Sequence, residues 1–325
     1  MTDSPRPVFV AASNVGGGIS RHLDLVRTVV DIEVLELPET LSLRTKVTRM
    51  RGRLRERGSS LVVTHGVAAG LAARLRTRRL RSYRHVEIWH GDPFFLLPHR
   101  RIPYYLLARI GIAPDVQVFV SPALLEMYGD RRSDQLVLPN AVPPADAVRS
   151  AGGPQRRAVY MGRLSPEKGY EDLLAAWPQD AHERGWRLDV FGDGPLSVVH
   201  VPASVHLRGR TNDPLAEIGT ADLVVIPSWT EASPYIALEA LSLATPFIAT
   251  RTGDMPDYLS SGCGWLVEAR DVPGLRGALE TAFGCSDEQL AAMGDRGRAW
   301  VRTERPFDAW LAAVAELYST GRARP

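Results

Sequence analysis

The sequence predicts an α/β protein made of two Rossmann-like domains, each on a parallel sheet, facing each other across a cleft. Three observations carry this. Short β-branched runs alternate with longer amphipathic stretches along the chain. Several of the short runs are apolar almost throughout, as expected when both faces of a parallel sheet are covered. Near the middle, NAVPPADAVRSAGGPQR at 140–156 replaces any hydrophobic period with Pro, Gly, Ala and polar residues, which marks a linker. Domains are expected at 1–145 and 146–325. A chain of 325 residues is long enough for two cores of ordinary size.

Taken in order, the first half offers strands at PVFVAAS, IEVLEL, SLVVTHG, HVEIWHG, VQVFVS and QLVLP, with helical segments between them such as ALLEMY after Pro122. The second half repeats the plan with RAVYMGR, RLDVFGDG, VHLRG, ADLVVIPS, PFIAT and GWLVEA. The closing stretch PFDAWLAAVAELYSTGR sets Trp310, Val314 and Leu317 near one helical face and is expected to brace the N-terminal domain. In open α/β sheets ligands bind beyond the carboxyl ends of the strands, so the loops there are searched first.

Composition narrows the class. At 45% hydrophobic and 23% charged residues, the chain reads as globular rather than disordered or repetitive. Two cysteines, Cys263 and Cys285, make no disulfide scaffold and fit a reducing cytoplasm. Neither a basic leader with an apolar core nor an apolar run of roughly 18 residues occurs. The expected location is cytoplasmic, with peripheral contact at the inner face of a membrane as an option. The net charge of +2 hides an asymmetry: residues 1–150 hold 22 Lys/Arg against 14 Asp/Glu, the rest 17 against 23. Within the basic half, RTKVTRMRGRLRERG at 44–58 places Val47, Met50 and Leu54 on one helical face amid arginines, and RLRTRRLRSYR at 74–84 adds more. Such a basic amphipathic helix can lie on anionic lipid or receive an acidic acceptor, or can turn its apolar stripe inward as a solvated arginine face. Without interleaved aromatics there, nucleic acid is not an expected partner.

Two segments carry the chemistry. In ADLVVIPSWTEASPYIALEAL a buried strand ends at Ser228, a loop holds Glu231, and Ser233-Pro234 is a helix start with Ser as N-cap and Pro in the first turn. A helix so placed aims free N–H groups and its positive dipole end at a phosphate. Glu239, farther along it, accepts hydrogen bonds only, which suits a ribose diol; Glu231 is placed to do the same for sugar hydroxyls. Taken alone, the two glutamates read equally as an ordinary helix charge and a loop charge. The second segment, VYMGRLSPEKGYEDLLAAW, runs strand, turn, helix. Arg163 leaves the strand end and Lys168 sits at the helix start, where a cation opposes the macrodipole and is a poor choice for stability alone. Two cations there offset the charge that grows on a departing diphosphate without calling on a metal.

GRLSPEKG at 162–169, followed by an E-x7-E pattern in EASPYIALE at 231–239, resembles glycosyltransferase family 4, retaining enzymes of the GT-B fold (glycosyl transferases group 1). The likeness covers the second half, through FGDGP, LRG, TGDMPD and GWLV, and continues less tightly into the first through GGGISRH, THGVAAG, WHGDP, VSPALLEMY and VLPNAV. The resemblance implies that Arg163 and Lys168 bind the donor diphosphate, that Glu231 contacts the transferred sugar and that Glu239 grips the ribose. It further implies that backbone amides around Ser233, Pro234, Tyr235 and Ile236 bind phosphate or sugar. The family's glycine-rich loop matches Gly16, Gly17 and Gly18, and a histidine lining the reaction centre matches His90. Two positions depart from the pattern: Ala232-Ser233 replaces the glycine after the first glutamate, and Asp257 replaces a later glutamate.

GGGIS is not a full dinucleotide fingerprint, since the position for its third glycine is Arg21. His65 reads as structural sooner than reactive. No D-x-D triplet and no cysteine–histidine spacing points to a metal, so no metal and no cofactor are expected beyond a nucleotide diphosphate sugar as co-substrate. The expected function is retaining, metal-independent transfer of a hexosyl-type sugar, UDP-linked by preference and GDP-linked otherwise, to a hydroxyl on a glycan, glycolipid or natural product. The alternatives are a non-catalytic nucleotide-sugar-binding scaffold and a GT-B-like epimerase or phosphorylase.

Overall fold

The computed structural model describes residues 8–12, 17–38, 40–57, 61–75, 83–95, 99, 101–145, 155–197 and 201–322. The chain forms two compact units, one of residues 1–140 with 308–325 and one of 141–307. Much of the linker segment, and most of the basic stretch at 74–84, lies outside the described residues.

Unit 1 carries a six-stranded parallel sheet among its described residues: β1 (Val8–Ala12), β2 (Ile32–Glu36), β3 (Leu61–His65), β4 (Arg84–Trp89), β5 (Val116–Phe119) and β6 (Asp134–Val137), in the order β2-β1-β3-β4-β5-β6. Helices α1 (Gly17–Val26), α2 (Leu43–Arg57), α3 (Val67–Arg74), α4 (Arg101–Ile110) and α5 (Pro122–Tyr128) make the crossovers that parallel pairing demands. The strands β3 and β5 are buried at every position, as expected where both faces of a parallel sheet are covered, and their polar members Thr64, His65 and Gln117 are hydrogen-bonded. Ser121 starts α5 by accepting from the Leu124 amide, with Pro122 in the first turn. Under the sheet, Glu87 is buried but satisfied by Arg74, Gln117 and the Trp89 indole N–H. The guanidinium of Arg74 holds that carboxyl below its ordinary range despite the opposing effect of burial.

The apolar stripe of α2 is spent on this core. Val47, Met50 and Leu54 pack with Phe9, Val62 and Ala72, while Arg44, Arg49, Arg53 and Arg55 are exposed and Arg51 donates to the Leu75 carbonyl at 2.7 Å. Of the two readings open for that helix, the inward-facing stripe is the one observed, so α2 has no apolar face left to insert into lipid.

Unit 2 carries a second six-stranded parallel sheet: β7 (Arg156–Met161), β8 (Trp186–Phe191), β9 (Val205–Gly209), β10 (Leu223–Ile226), β11 (Phe247–Thr250) and β12 (Gly264–Val267), in the order β12-β11-β10-β7-β8-β9. The helices α6 (Tyr170–Ala176), α7 (Pro214–Gly219), α8 (Tyr235–Ser242) and α9 (Met255–Leu259) connect the strands, and α10 (Val272–Gly284) and α11 (Asp287–Glu304) follow. One large core joins Trp177, Trp186 and Phe283 to Leu188, Val225 and Ile248, with the Trp186 and Phe283 rings stacked at 4.4 Å. The last helix, α12 (Phe307–Thr320), returns to unit 1, where Trp310, Val314, Leu317 and Tyr318 are buried. No helix among the described residues is long and apolar enough to cross a membrane.

Candidate active site

In unit 2 the sheet grows one way from β7 through β8 to β9 and the other way from β10 to β12. The pair β7–β10, in register at Ala158 with Leu223, is therefore the topological switch point, where a crevice opens beyond the carboxyl ends. Both sequence segments singled out above leave the sheet at this point. From β7 the chain turns through Gly162, Arg163 and Leu164 into a short 3-10 turn, Pro166–Lys168. From β10 it passes through Pro227 and Ser228 to Glu231.

The two loops are tied together. The Trp229 amide donates to the Glu167 carbonyl at 2.8 Å. At Gly169 the backbone is left-handed, φ 65°, and a Cβ there would stand 1.9 Å from the Pro227 carbonyl oxygen, so glycine is required for the 3-10 turn to lie against the end of β10. Across this junction Lys168 Nζ donates to Glu231 Oε1 at 2.7 Å, and the Ser228 hydroxyl donates to the same oxygen at 2.8 Å. The Glu231 side chain is 14% exposed and that of Lys168 32%, so the pair is shielded but reachable. Arg163 is exposed; its carbonyl is held by the Tyr160 hydroxyl at 2.7 Å, while its guanidinium has no partner among the described residues. The cation and carboxylate that the sequence put in separate motifs thus face each other, and a free guanidinium stands on the same loop.

Helix α8 follows Glu231 directly. Ser233 does not cap it. The helix begins at Tyr235 with Pro234 at the N-cap position, and no side chain occupies the cap. The Ser233 hydroxyl is instead buried against the Tyr258 hydroxyl at 2.8 Å, because the Asp254 amide donates to the Ala232 carbonyl and draws this stretch onto the turn before α9. Burial pushes the Asp254 carboxyl up to about 6, against the pull of Arg305. The first turn of α8 still presents Tyr235 and Ile236 without a capping side chain, as an anion site requires. Glu239 is buried at 7% exposure, which removes the reading of it as a solvated helix charge. Beside the pair, the Trp229 indole N–H donates to Asp172 at 2.6 Å and the Arg270 guanidinium lies over its ring at 4.2 Å.

The remaining candidates lie in unit 1. Gly16 falls outside the described residues. Gly17 and Gly18 open α1 and are exposed; Gly17 has φ 55° and open space where a Cβ would be. His90 follows β4 and takes part in a chain of rings. His65 Nδ1 and His90 Nε2 are 2.7 Å apart with the rings 16° from coplanar. His65 Nε2 lies 2.7 Å from the Tyr318 hydroxyl, and the same hydroxyl lies 3.2 Å from His22 Nε2. The contacts fit one direction of donation along the chain. The shorter contact suits the hydroxyl as donor to His65, and the longer one an imidazole N–H donating to the hydroxyl oxygen. His65 then carries its proton on Nδ1 and donates to His90 Nε2. That leaves the His90 proton on Nδ1, a buried atom with no partner among the described residues. Burial lowers His90 to about 4, so it is a neutral donor at pH 7.

His22, His65 and His90 have ring nitrogens within 4.8 Å of one another, a spacing that could hold a metal ion. Sequence reading missed this trio because its members come from three separate segments. Two ligands of a tetrahedral zinc stand roughly 3.3 Å apart. The 2.7 Å between His65 and His90 is a hydrogen-bond distance instead.

Residues 155–283 match the family model described as glycosyl transferases group 1. Glycogen synthase of Mycobacterium tuberculosis is 28% identical over 215 residues, 60% of this chain and 50% of that protein, so the chain spans half the length of that relative. A GDP-mannose-dependent monoacylated alpha-(1-6)-phosphatidylinositol monomannoside mannosyltransferase of Corynebacterium glutamicum is 25% identical, over 93% of this chain and 87% of its own. Among solved structures, sucrose-phosphate synthase of Thermosynechococcus elongatus superposes with a TM-score of 0.78 at 16% identity, covering 96% of this chain and 98% of its own. Anabaena Alr3699/HepE, solved with UDP and glucose, gives 0.76 at 16% identity, covering 97% and 100%. The switch-point loops lie inside the region matched by the family model, and the two sheets share the GT-B fold of these solved structures.

Proposed function

We propose that this protein transfers a hexosyl-type sugar from a nucleoside diphosphate sugar to an acceptor hydroxyl, with retention at the anomeric carbon. The observation that carries the reading is the Lys168–Glu231 pair at the switch point of unit 2, with the unpartnered Arg163 guanidinium on the same loop. Lys168 and Glu231 neutralise each other across the junction. An arriving diphosphate offers Lys168 a second anion and Arg163 its first, which frees Glu231 oxygens to accept from sugar hydroxyls. As the glycosidic bond breaks, the leaving diphosphate gains charge. Two cations and the uncapped first turn of α8 stabilise it there, in the role a divalent ion takes elsewhere. Buried Glu239 suits the ribose diol, and the Nδ1–H of His90 suits an oxygen of the sugar as a neutral donor. On this reading Gly17 and Gly18, at the start of α1, let backbone approach phosphate or acceptor.

The named ligands of similar proteins favour UDP, through Alr3699/HepE with UDP and glucose, and keep GDP in play through the mannosyltransferase. The reading is tested by thermal shift against UDP, GDP, TDP, NAD and inorganic phosphate. We expect a shift with UDP or GDP alone, of the size that about 2.7 kcal/mol of binding at a hundredfold excess over Kd produces. Arg163→Ala should weaken nucleotide binding about ten- to a hundredfold, the worth of one charge-assisted contact. A shift with NAD only, or with no nucleotide, sinks the transferase reading.

A further inference from the structure

We propose that Asp254 is a positioning residue for the donor site: with its carboxyl neutral it holds the turn between Glu231 and α8, and once ionised it lets that turn open. The inference rests on the reading of the site given above. Asp254 occupies the N-cap of α9, where an aspartate ordinarily accepts from the helix amides, yet its side chain makes no such bond. It turns back toward the stretch that follows Glu231. The Tyr258 hydroxyl donates to Asp254 Oδ2 at 3.4 Å and lies 2.8 Å from the Ser233 hydroxyl, and Ser233 also bonds the carboxyl directly. The backbones are joined as well, since the Asp254 amide donates to the Ala232 carbonyl at 2.8 Å. At Gly253, φ 51°, a Cβ would stand 2.2 Å from that carbonyl oxygen and 2.6 Å from the Glu231 carbonyl oxygen. A shift of Asp254 is therefore passed to the residues that join Glu231 to α8.

The carboxyl is shut in with its partners: Asp254, Ser233 and Tyr258 are 5%, 4% and 0% exposed. The charged and titratable groups that face it are Arg305, which follows α11, and Asp257 and Tyr258 on α9. Arg305 Nη2 stands 3.8 Å from Asp254 Oδ2, a long ion pair, and its guanidinium is shared with the Tyr258 and Trp300 rings at 5.7 and 5.2 Å. That attraction does not outweigh burial and the like charge of Asp257. The carboxyl therefore keeps its proton up to about 6, where in solvent it would lose it near 3.8. Opening the turn to water releases the proton, so opening becomes easier as pH rises through this window. Between pH 5 and 7.5 the opening equilibrium changes by about tenfold. A diphosphate at the first turn of α8 brings negative charge toward the same carboxyl and favours its neutral form, so donor binding takes up a proton. A titratable group held where its ionised form is disfavoured, against a binding loop, is a functional candidate on physical grounds.

Hydrogen exchange of residues 232–238 without nucleotide, expressed as protection relative to the unfolded chain, tests the turn independently of the transferase reading. Wild-type protection should be about tenfold higher at pH 5 than at pH 7.5. Asp254→Asn, a neutral mimic, should keep the higher value at both. Isothermal titration at pH 7.5 should find UDP or GDP, whichever wild type binds, held at least about threefold more tightly by Asp254→Asn, a gain that misfolding does not produce. The proposal is overturned if wild-type protection is equal at the two pH values or if Asp254→Asn keeps the wild-type dependence. It is also overturned if β7 and β10 change by the same factor, which would assign the effect to global unfolding, or if the variant tightens the turn yet binds nucleotide as wild type does. Should wild type bind neither UDP nor GDP while the exchange results stand, Asp254 holds the turn as proposed and the transferase reading is what fails.

Discussion

Burial holds His22, His65 and His90 below their ordinary value, His90 at about 4, while an unfolded chain would protonate each near 6.5. The folded state therefore binds fewer protons than the unfolded one between those values. Stability from these rings is present above pH 6.5 and is lost as pH falls below it, for His90 as pH falls toward 4. For His90 alone the loss amounts to about 3 kcal/mol across that window, on the order of a third of a domain's margin. Denaturant titrations at pH 7.5 and 5 should show unit 1 losing stability before any carboxylate in the ordinary range titrates. Tyr318→Phe removes the hydroxyl that bonds both His65 Nε2 and His22 Nε2, at a cost of about 1–3 kcal/mol. Nitrogen NMR of the imidazoles should find His90 as the Nδ1–H tautomer in wild type and a mixture in the variant. A single unchanged tautomer in both would reject the proton assignment. His90 was legible from sequence because it follows a strand in a recognisable motif. The ring chain was not, since His22 and Tyr318 stand 296 positions apart and only tertiary packing joins them.

At the level of elements, every strand expected from an apolar run is present, and the reason is local: a parallel strand covered on both faces writes its burial directly into its sequence. Helix faces are harder to read. Helices α2 and α4 are both basic and amphipathic, yet one turns its apolar stripe into the core and the other leaves it in solvent. Periodicity gives the stripe but not what covers it, which is why 44–58 stayed open between a lipid-facing and an inward-facing reading. The start of α8 was likewise shifted by one residue, because the hydroxyl of Ser233 found Tyr258 before it found the helix amides. The switch-point turn yields the sharpest test of an element junction. Gly169→Ala puts a Cβ 1.9 Å from the Pro227 carbonyl oxygen on a left-handed backbone, so the 3-10 turn must move off the end of β10. The left-handed conformation costs about 1–2 kcal/mol, and relieving the backbone clash should bring the loss to about 2–4 kcal/mol. Urea unfolding measures it. Nucleotide affinity should fall with it, because Lys168 rides on that turn; unchanged stability and affinity would show that the junction is not fixed by this glycine.

For the whole molecule, the chain does not divide in sequence order. Unit 2 is continuous from 141 to 307, but unit 1 is closed by the last helix, which the sequence boundary at 146 had assigned by position to the second domain. The apolar face of an amphipathic helix does not itself name what it covers, although this one was expected from its pattern to brace the N-terminal domain. The packing names it. Trp310, Val314, Leu317 and Tyr318 are all buried, and Arg84 on β4 donates to the Gly321 carbonyl at 2.6 Å. Burying four such side chains is worth about 1.5–3 kcal/mol each, a sum comparable with the entire stability of a typical domain. A chain truncated after Phe307 should therefore lose unit 1 and keep unit 2. Hydrogen exchange followed by mass spectrometry reads this directly. Amides of β3 and β4 should exchange nearly as in the unfolded chain, while those of β7 and β10 stay protected. Protection of β3 and β4 in the truncated chain would mean that unit 1 closes without its last helix. Because Lys168, Glu231 and α8 all lie in unit 2, the truncated protein should also retain the nucleotide-induced thermal shift, which would separate the folding role of the C-terminal helix from the binding role proposed for the switch-point loops.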